Sequence, residues 1–181
     1  MKYDKVIILK DGRECRIRNA AKEDGEGVLR NFLLTHGETD FLTSYPDECT
    51  FTVEGEEEYM ERKEASEREA EIVAEIDGEI VGTSGISSLG TYDKLKHRAV
   101  FGISVAKEYW GLGIGRALTE CCIECARKAG YLQLELEAVA DNKAALALYE
   151  SAGFREYGRN PKAFRSRISG WQECVLMRLE L

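Results

Sequence analysis

The chain has 181 residues, with 33 acidic against 25 basic side chains for a net charge of −8, and a hydrophobic share of 44% beside a charged share of 32%. These values suit one globular domain spanning 1–181 and exclude intrinsic disorder, collagen-like repetition and a disulfide-stapled scaffold. The acidic balance also argues against nucleic acid as a partner, because phosphate binding rests on clustered basic side chains and counterion release.

At the N-terminus the apolar run Val6 to Leu9 is too short for a signal-peptide core or a membrane span, so no membrane partner and a cytoplasmic location are expected. The six cysteines are irregularly spaced, and in a reducing compartment free thiols follow. Cys122 and Cys125 have metal-pair spacing but no second pair, and they lie inside a helical pattern, so no metal site is expected.

In chain order, Cys15 to Arg18 reads as a short strand and Lys22 to Thr35 as a helix with Val28, Leu29, Phe32 and Leu33 on one side. Glu54 to Glu69 reads as a charged surface helix anchored by Val53, Tyr59 and Met60. Glu71 to Ile76 and Ile80 to Ile86 flank Asp77-Gly78, the signature of a tight hairpin. Arg98 to Val105 then alternates as a third strand, with Ala99, Phe101, Ile103 and Val105 on one face.

The most informative segment follows at Trp110-Gly111-Leu112-Gly113-Ile114-Gly115-Arg116, which leads into apolar residues at helical spacing: Ile114, Ala117, Leu118, Cys121, Cys122 and Cys125. A strand, a glycine loop and a helix in that order leave backbone N–H groups and the positive end of the helix dipole free to receive an anion, most often phosphate. No Lys-Ser or Lys-Thr follows the last glycine, which excludes a Walker loop. The glycine spacing and the hairpin upstream exclude a Rossmann fingerprint.

Downstream, Leu132 to Val139 is a strand in which Glu135 and Glu137 alternate with Leu134 and Leu136. Asp141-Asn142 reads as a helix N-cap, and Gly153 stops that helix after Ala152. Phe154 to Leu181 reads as two final strands and the loop between them.

The two blocks together resemble the GNAT family of N-acetyltransferases. The cofactor-loop pattern Gln/Arg-x-x-Gly-x-Gly/Ala is met by the glycine loop, with Trp110 standing where the pattern has Gln or Arg. The second block runs from Leu134 through Asn142 to Leu148-Tyr149-Glu150 and Gly153-Phe154. The resemblance covers Cys15 to Leu181 and implies a mixed α/β fold: a central, largely antiparallel sheet, flanking helices and a cofactor cleft between two splayed parallel strands.

It also implies acetyl-CoA as cosubstrate. Backbone at Ile103 and Val105, around Ser104, would then meet the pantetheine arm, and the amides of Gly111, Gly113, Ile114, Gly115 and Arg116 would hold the pyrophosphate. Asn142 would bond the pantetheine or pyrophosphate region, and Tyr149 would stand beside the thioester sulfur.

Aminolysis of a thioester expels a thiolate, and a phenol with a pKa of about 10 stays protonated at neutral pH, which suits Tyr149 as general acid. An alkyl ammonium with a pKa near 10.4 is free base in only roughly one molecule in a few thousand at pH 7, so a base or a desolvating pocket is needed. His97, near the start of the strand that meets the cofactor, is the expected base; Glu135 and Glu137 are alternatives, and His36 reads as a polar cap. The acceptor is expected to be a primary amine of a small molecule or peptide, in direct transfer. Glu23, Glu26, Glu38, Asp40, Asp47 and Glu48 are expected to steer cations toward it. The rival readings are a non-catalytic CoA-binding module and a protein-interaction scaffold, and the oligomeric state, a homodimer included, stays open.

Overall fold

In the computed structural model, which describes residues 2–181, strands β1 (Asp4–Ile8) and β2 (Glu14–Asn19) form a hairpin at one end of a sheet. β1 is additional to the expected strands: the apolar stretch at Val6 to Leu9 carries no alternation, and Val6 and Ile8 are exposed on an edge strand. A 3₁₀ turn at Lys22–Asp24 leads into α1 (Gly25–Glu38), which runs three residues beyond the expected Thr35.

Helix α2 (Val53–Ala65) is capped by Thr52, whose hydroxyl accepts from the Gly55 amide at 3.1 Å. It ends four residues before the expected Glu69. Ser66 is extended there, and its hydroxyl accepts from the Arg68 and Glu69 amides, an alternative to continued helix. The helix is less superficial than its charge suggests, since Met60 and Lys63 are both buried.

β3 (Ala70–Ile76) and β4 (Glu79–Ser88) close through Asp77 and Gly78 at φ 51° and 83°, the positive pair a primed turn requires. β5 (Arg98–Val105) matches its expected bounds, and α3 (Ile114–Lys128), β6 (Gln133–Val139), α4 (Lys143–Ser151), β7 (Arg155–Ser166) and β8 (Gly170–Glu180) follow. The strands form one sheet in the order β1-β2-β3-β4-β5-β6-β8-β7, antiparallel at every junction but β5–β6.

Alternation gives the sheet two apolar faces. On one, Leu118, Cys121, Cys122 and Cys125 of α3 pack on Ile72, Ile86, Ala99 and Leu134. On the other, Val28 of α1 and Met60 of α2 cover Val73 and Ile80. The thiols are free, and all but the half-buried Cys49 serve as small buried hydrophobes.

The parallel junction sets up the site. β5 and β6 pair only from Arg98–Gln133 to Val100–Glu135, and then run on to Val105 and Val139 without meeting. Their near end is clasped: Arg98 donates to both Glu135 oxygens at 2.5 and 2.7 Å, and the His97 carbonyl accepts from the Leu132 and Gln133 amides. The far end opens as a wedge, the splayed pair expected from the family resemblance.

Candidate active site

The wedge opens into a cleft of about 660 Å³ lined by α1, α2 and strands β3 to β8. Beyond Val100, β5 has a hydrogen-bonding neighbour on the β4 side only, so alternate N–H and C=O groups of its last residues face the opening. Ile103 and Ser104 line it. Ser104 Oγ lies 3.2 Å from Thr83 Oγ1, and the Val105 carbonyl accepts from the Trp110 indole at 2.6 Å. Trp110, the residue that departs from the family pattern, thus braces the strand end against the glycine loop.

In that loop Gly111 and Gly113 take φ of 78° and 108°, where a side chain is strained, and a Cβ on either would meet nothing within 4 Å. The space before the backbone is open. Gly113 is the N-cap of α3 and supplies no capping side chain, and none of the amides from Gly111 to Arg116 donates to a protein oxygen among the described residues. A row of unpaired amides at the positive end of a 15-residue helix has the geometry and the field to receive an anion. Gly115, whose amide belongs to the same unpaired row, also has a packing role, because a Cβ there would press on the Leu148 side chain of α4 at 3.3 Å.

Asn142 caps α4 by accepting from the Ala145 amide at 3.2 Å and also lines the cleft. Tyr149, about two turns beyond Asn142 on α4, is buried among Phe101 and Phe154, each met edge-on at about 6 Å, with one side lining the cleft. Burial pushes its phenol up to about 12, which keeps it a proton donor through neutral pH.

The structure does not bring His97 to this place. It sits at the clasped end of β5, four residues and about 13 Å up-chain of the Phe101 that touches Tyr149, and outside the cleft lining. The wedge opens at the C-terminal end of the strand, and the alternation that locates a strand does not show which of its ends opens.

Of the alternatives, Glu135 is occupied by Arg98, whose hydrogen bonds hold its carboxyl below the ordinary range. Glu137 is exposed on the cleft side and has no ion pair among the described residues. His36 is a buried cleft residue rather than a cap. Its Nδ1 must donate to the Phe32 carbonyl, at 2.8 Å, which leaves Nε2 bare, and desolvation lowers its pKa.

One residue that sequence reasoning does not single out completes the lining. Glu71 of β3 faces the cleft beside Tyr59, whose hydroxyl donates to it at 3.4 Å. On the strand pattern it reads as an ordinary polar alternation. The expected steering carboxylates are largely engaged elsewhere. Asp40 accepts from Ser166, Ser169, Tyr45 and Gln172; Asp47 and Glu48 pair with Arg167; Glu38 accepts from the Lys107 amide. Asp40, Asp47 and Glu48 tie the loop after α1 to the β7–β8 turn at the cleft mouth instead of standing free, and Glu23 and Glu26 line a separate small hollow. No helix among the described residues is long and apolar enough to cross a membrane.

Comparisons agree with this architecture. The profile of the acetyltransferase (GNAT) family matches residues 39–154. The N-alpha-acetyltransferase RimI of Mycobacterium tuberculosis is 38% identical over 117 residues, 65% of this chain and 70% of that protein. The ribosomal protein bS18-alanine N-acetyltransferase of Escherichia coli K12 is 37% identical over 87 residues, 48% of this chain but only 58% of that protein. Among solved structures, a GNAT-family acetyltransferase of Streptococcus pneumoniae superposes with a TM-score of 0.87 at 26% identity, covering 92% of this chain and 99% of that one. With fold, loop and cleft all in agreement, this chain belongs to the acetyltransferase (GNAT) family.

Proposed function

We propose that residues 1–181 form one acetyl-CoA-dependent N-acetyltransferase domain that moves the acetyl group directly to a primary amine in a ternary complex. The observation that supports this reading is one continuous path: the unpaired amides of Gly111 to Arg116 lie just beyond the end of β5, whose Ile103 and Ser104 line the cleft together with the buried Tyr149 phenol. The amides would hold the pyrophosphate, and the open edge at Ile103 to Val105 with Asn142 would hold the pantetheine arm. These contacts would bring the thioester near Tyr149.

The amine nitrogen attacks the thioester carbonyl carbon, a C–N bond forms, and the C–S bond breaks as Tyr149 protonates the leaving sulfur. Glu137 accepts the proton released by the amine, directly or through water; it is the cleft-facing glutamate of β6 without a cation already bound. The relatives named for N-terminal acetylation favour a peptide α-amine over a small molecule as acceptor. An α-amine, with a pKa of about 7.7–8.0, needs far less help from a base than a lysine side chain near 10.4.

CoA thiol release measured over a panel of α-amino peptides, lysine peptides and small amines tests the reading. Turnover dependent on an amine supports it. CoA binding with no turnover on any amine overturns it in favour of a non-catalytic binding module.

A further inference from the structure

Glu71, Gly85 and Gly102 are direct cross-strand neighbours on β3, β4 and β5, so their side-chain positions form one row on the cleft face of the sheet. By strand alternation Glu137 of β6 stands on the same face as Glu135 and lines the cleft across the wedge from Gly102. Two carboxylates therefore flank a floor of two glycines. The glycines matter in different ways. A Cβ on Gly85 would collide with Glu71 Oε2, so the missing side chain is what lets the carboxylate lie over β4 and reach toward β5. A Cβ on Gly102 would meet nothing within 4 Å, so the floor in front of the carboxylate is open.

Glu71 forms no salt bridge among the described residues, although the charge of Lys63 acts on it. Lys63 Nζ is buried nearby, but it donates to the Ile86 carbonyl at 3.1 Å and Ser87 Oγ at 2.5 Å and pairs with Glu69 at 3.1 Å. From α2, Glu56 adds negative charge, Tyr59 gives one long hydrogen bond, and Arg62 is stacked on the Tyr59 ring. Across the cleft the facing groups are neutral His36 and the carboxylates Glu135 and Glu137. Desolvation raises the half-buried Glu71 carboxyl to about 8 against the opposing pull of Lys63, so a positive group entering the cleft would favour its charged form.

Resting on the acetyltransferase reading above, we propose that Glu71 sets acceptor specificity by binding a second positive group of the acceptor while its reacting amine lies near Glu137. With strands about 4.8 Å apart, Glu71 and Gly102 Cα atoms are about 10 Å apart, and the side chain covers part of that span. A reacting nitrogen over Gly102, facing Glu137 across the wedge, then lies about 5–10 Å from the second cation. A 1,4-diamine, with nitrogens about 6 Å apart by bond lengths, fits that span, as does a peptide α-amine followed by a basic side chain. Both present the same chemistry, and the experiment separates them.

Acetylation of 1,4-diaminobutane against butylamine, and of the peptide Ala-Lys-Ala against Ala-Gln-Ala, is compared for the wild type, Glu71→Gln and Glu71→Asp, with binding of each acceptor measured in parallel by calorimetry. The wild type should prefer the doubly charged acceptor in one arm by at least about 10-fold in kcat/KM. Glu71→Gln should reduce that ratio to near one with the singly charged acceptor changed less than about twofold, and Glu71→Asp should restore part of it. The wild-type preference should grow as pH rises through about 8, until the acceptor amines lose their own charge. Preference in the diamine arm alone identifies a small diamine, and in the peptide arm alone a basic N-terminus. An unchanged ratio in Glu71→Gln, or no preference in either arm, overturns the proposal. Should the wild type turn over no amine, the acetyltransferase reading falls, and the calorimetric ratio still decides for or against Glu71.

Discussion

The two halves of the cleft are built in different ways. The half proposed for the donor is backbone: a glycine loop, the first turn of α3 and the free edge of β5, drawn from residues 103 to 116 with Tyr149 of α4 and its cap Asn142 added. The half proposed for the acceptor is side chain, with Phe32, His36, Tyr59, Glu71, Glu137 and Tyr157 brought from five elements. A contiguous backbone device tolerates wide variation in the side chains around it. A mosaic of distant side chains can be retuned one residue at a time, which suits a fold that keeps its donor and changes its acceptor.

The contrast is broken most severely at Gly113. Its φ of 108° at the N-cap of α3 makes Gly113→Val strain the loop and place a branched side chain over the amides. The acetyl-CoA-induced rise in Tm, present in the wild type by mass action, should vanish in a variant that keeps the wild-type circular dichroism and melts cooperatively, its own Tm lowered by the strain. A folded variant with an undiminished shift would remove the loop from the cofactor site.

Tyr149→Phe tests whether the donor half also carries the chemistry. Only a hydroxyl is removed, packing on Phe101 and Phe154 is kept, and kcat should fall by roughly 10²-fold with cofactor affinity unchanged. Equal single-turnover rates in the two proteins would reduce Tyr149 to packing.

The acceptor half is sharpened at Asp40, whose four side-chain donors tie the loop after α1 to the β7–β8 turn. Asp40→Ala leaves several donors unpaired and loosens the mouth. An acceptor KM raised by about 10-fold, equivalent to about 1.4 kcal/mol, with acetyl-CoA KM unaltered is expected. A shift in both constants would show that the mouth and the donor half move together.

The smallest effect is on stability. Glu71 has a raised folded-state pKa, so the fold favours its neutral form, and stability falls as pH climbs from the ordinary carboxyl range near 4.5 to about 8. Glu71→Gln, which cannot ionise, should match the wild type below pH 4 and exceed it in Tm at pH 9, by a margin that the partial solvation of the half-buried Glu71 reduces. Parallel Tm curves across that range would place Glu71 in solvent.

What is legible in the sequence is mostly what is local. The Asp77-Gly78 turn, the bounds of β5, the Asn142 cap and the Gly153 stop each declare themselves within a few residues, and all four appear as expected. The donor half shares that locality. Glu71 is invisible in the sequence because a glutamate alternating along a strand looks the same whether it faces water or a cleft, and only the β3–β4–β5 register shows that two glycines lie beside it. His97 stands close to β5 in sequence, while the opening of the wedge depends on where β6 parts from that strand. Lys63, one charge among many on α2, is buried because Glu69 and the β4 carbonyl at Ile86 lie within its reach.

The short β5–β6 pairing has a mechanical consequence. Three residue pairs are all that joins β1–β5 to β6–β8 through the sheet, so the molecule is two rafts moored at one corner, with an unpaired strand edge in its interior. Strand edges elsewhere are shielded because they recruit whatever extended chain is nearby. Here the edge is kept within a cleft that a long, amide-bearing arm can enter, so a bound cosubstrate would act as a missing strand and fasten the rafts together. Amide exchange at Ile103 to Val105 should therefore slow on binding, together with exchange in the sheet on either side, where a ligand resting on the surface would protect only what it touches.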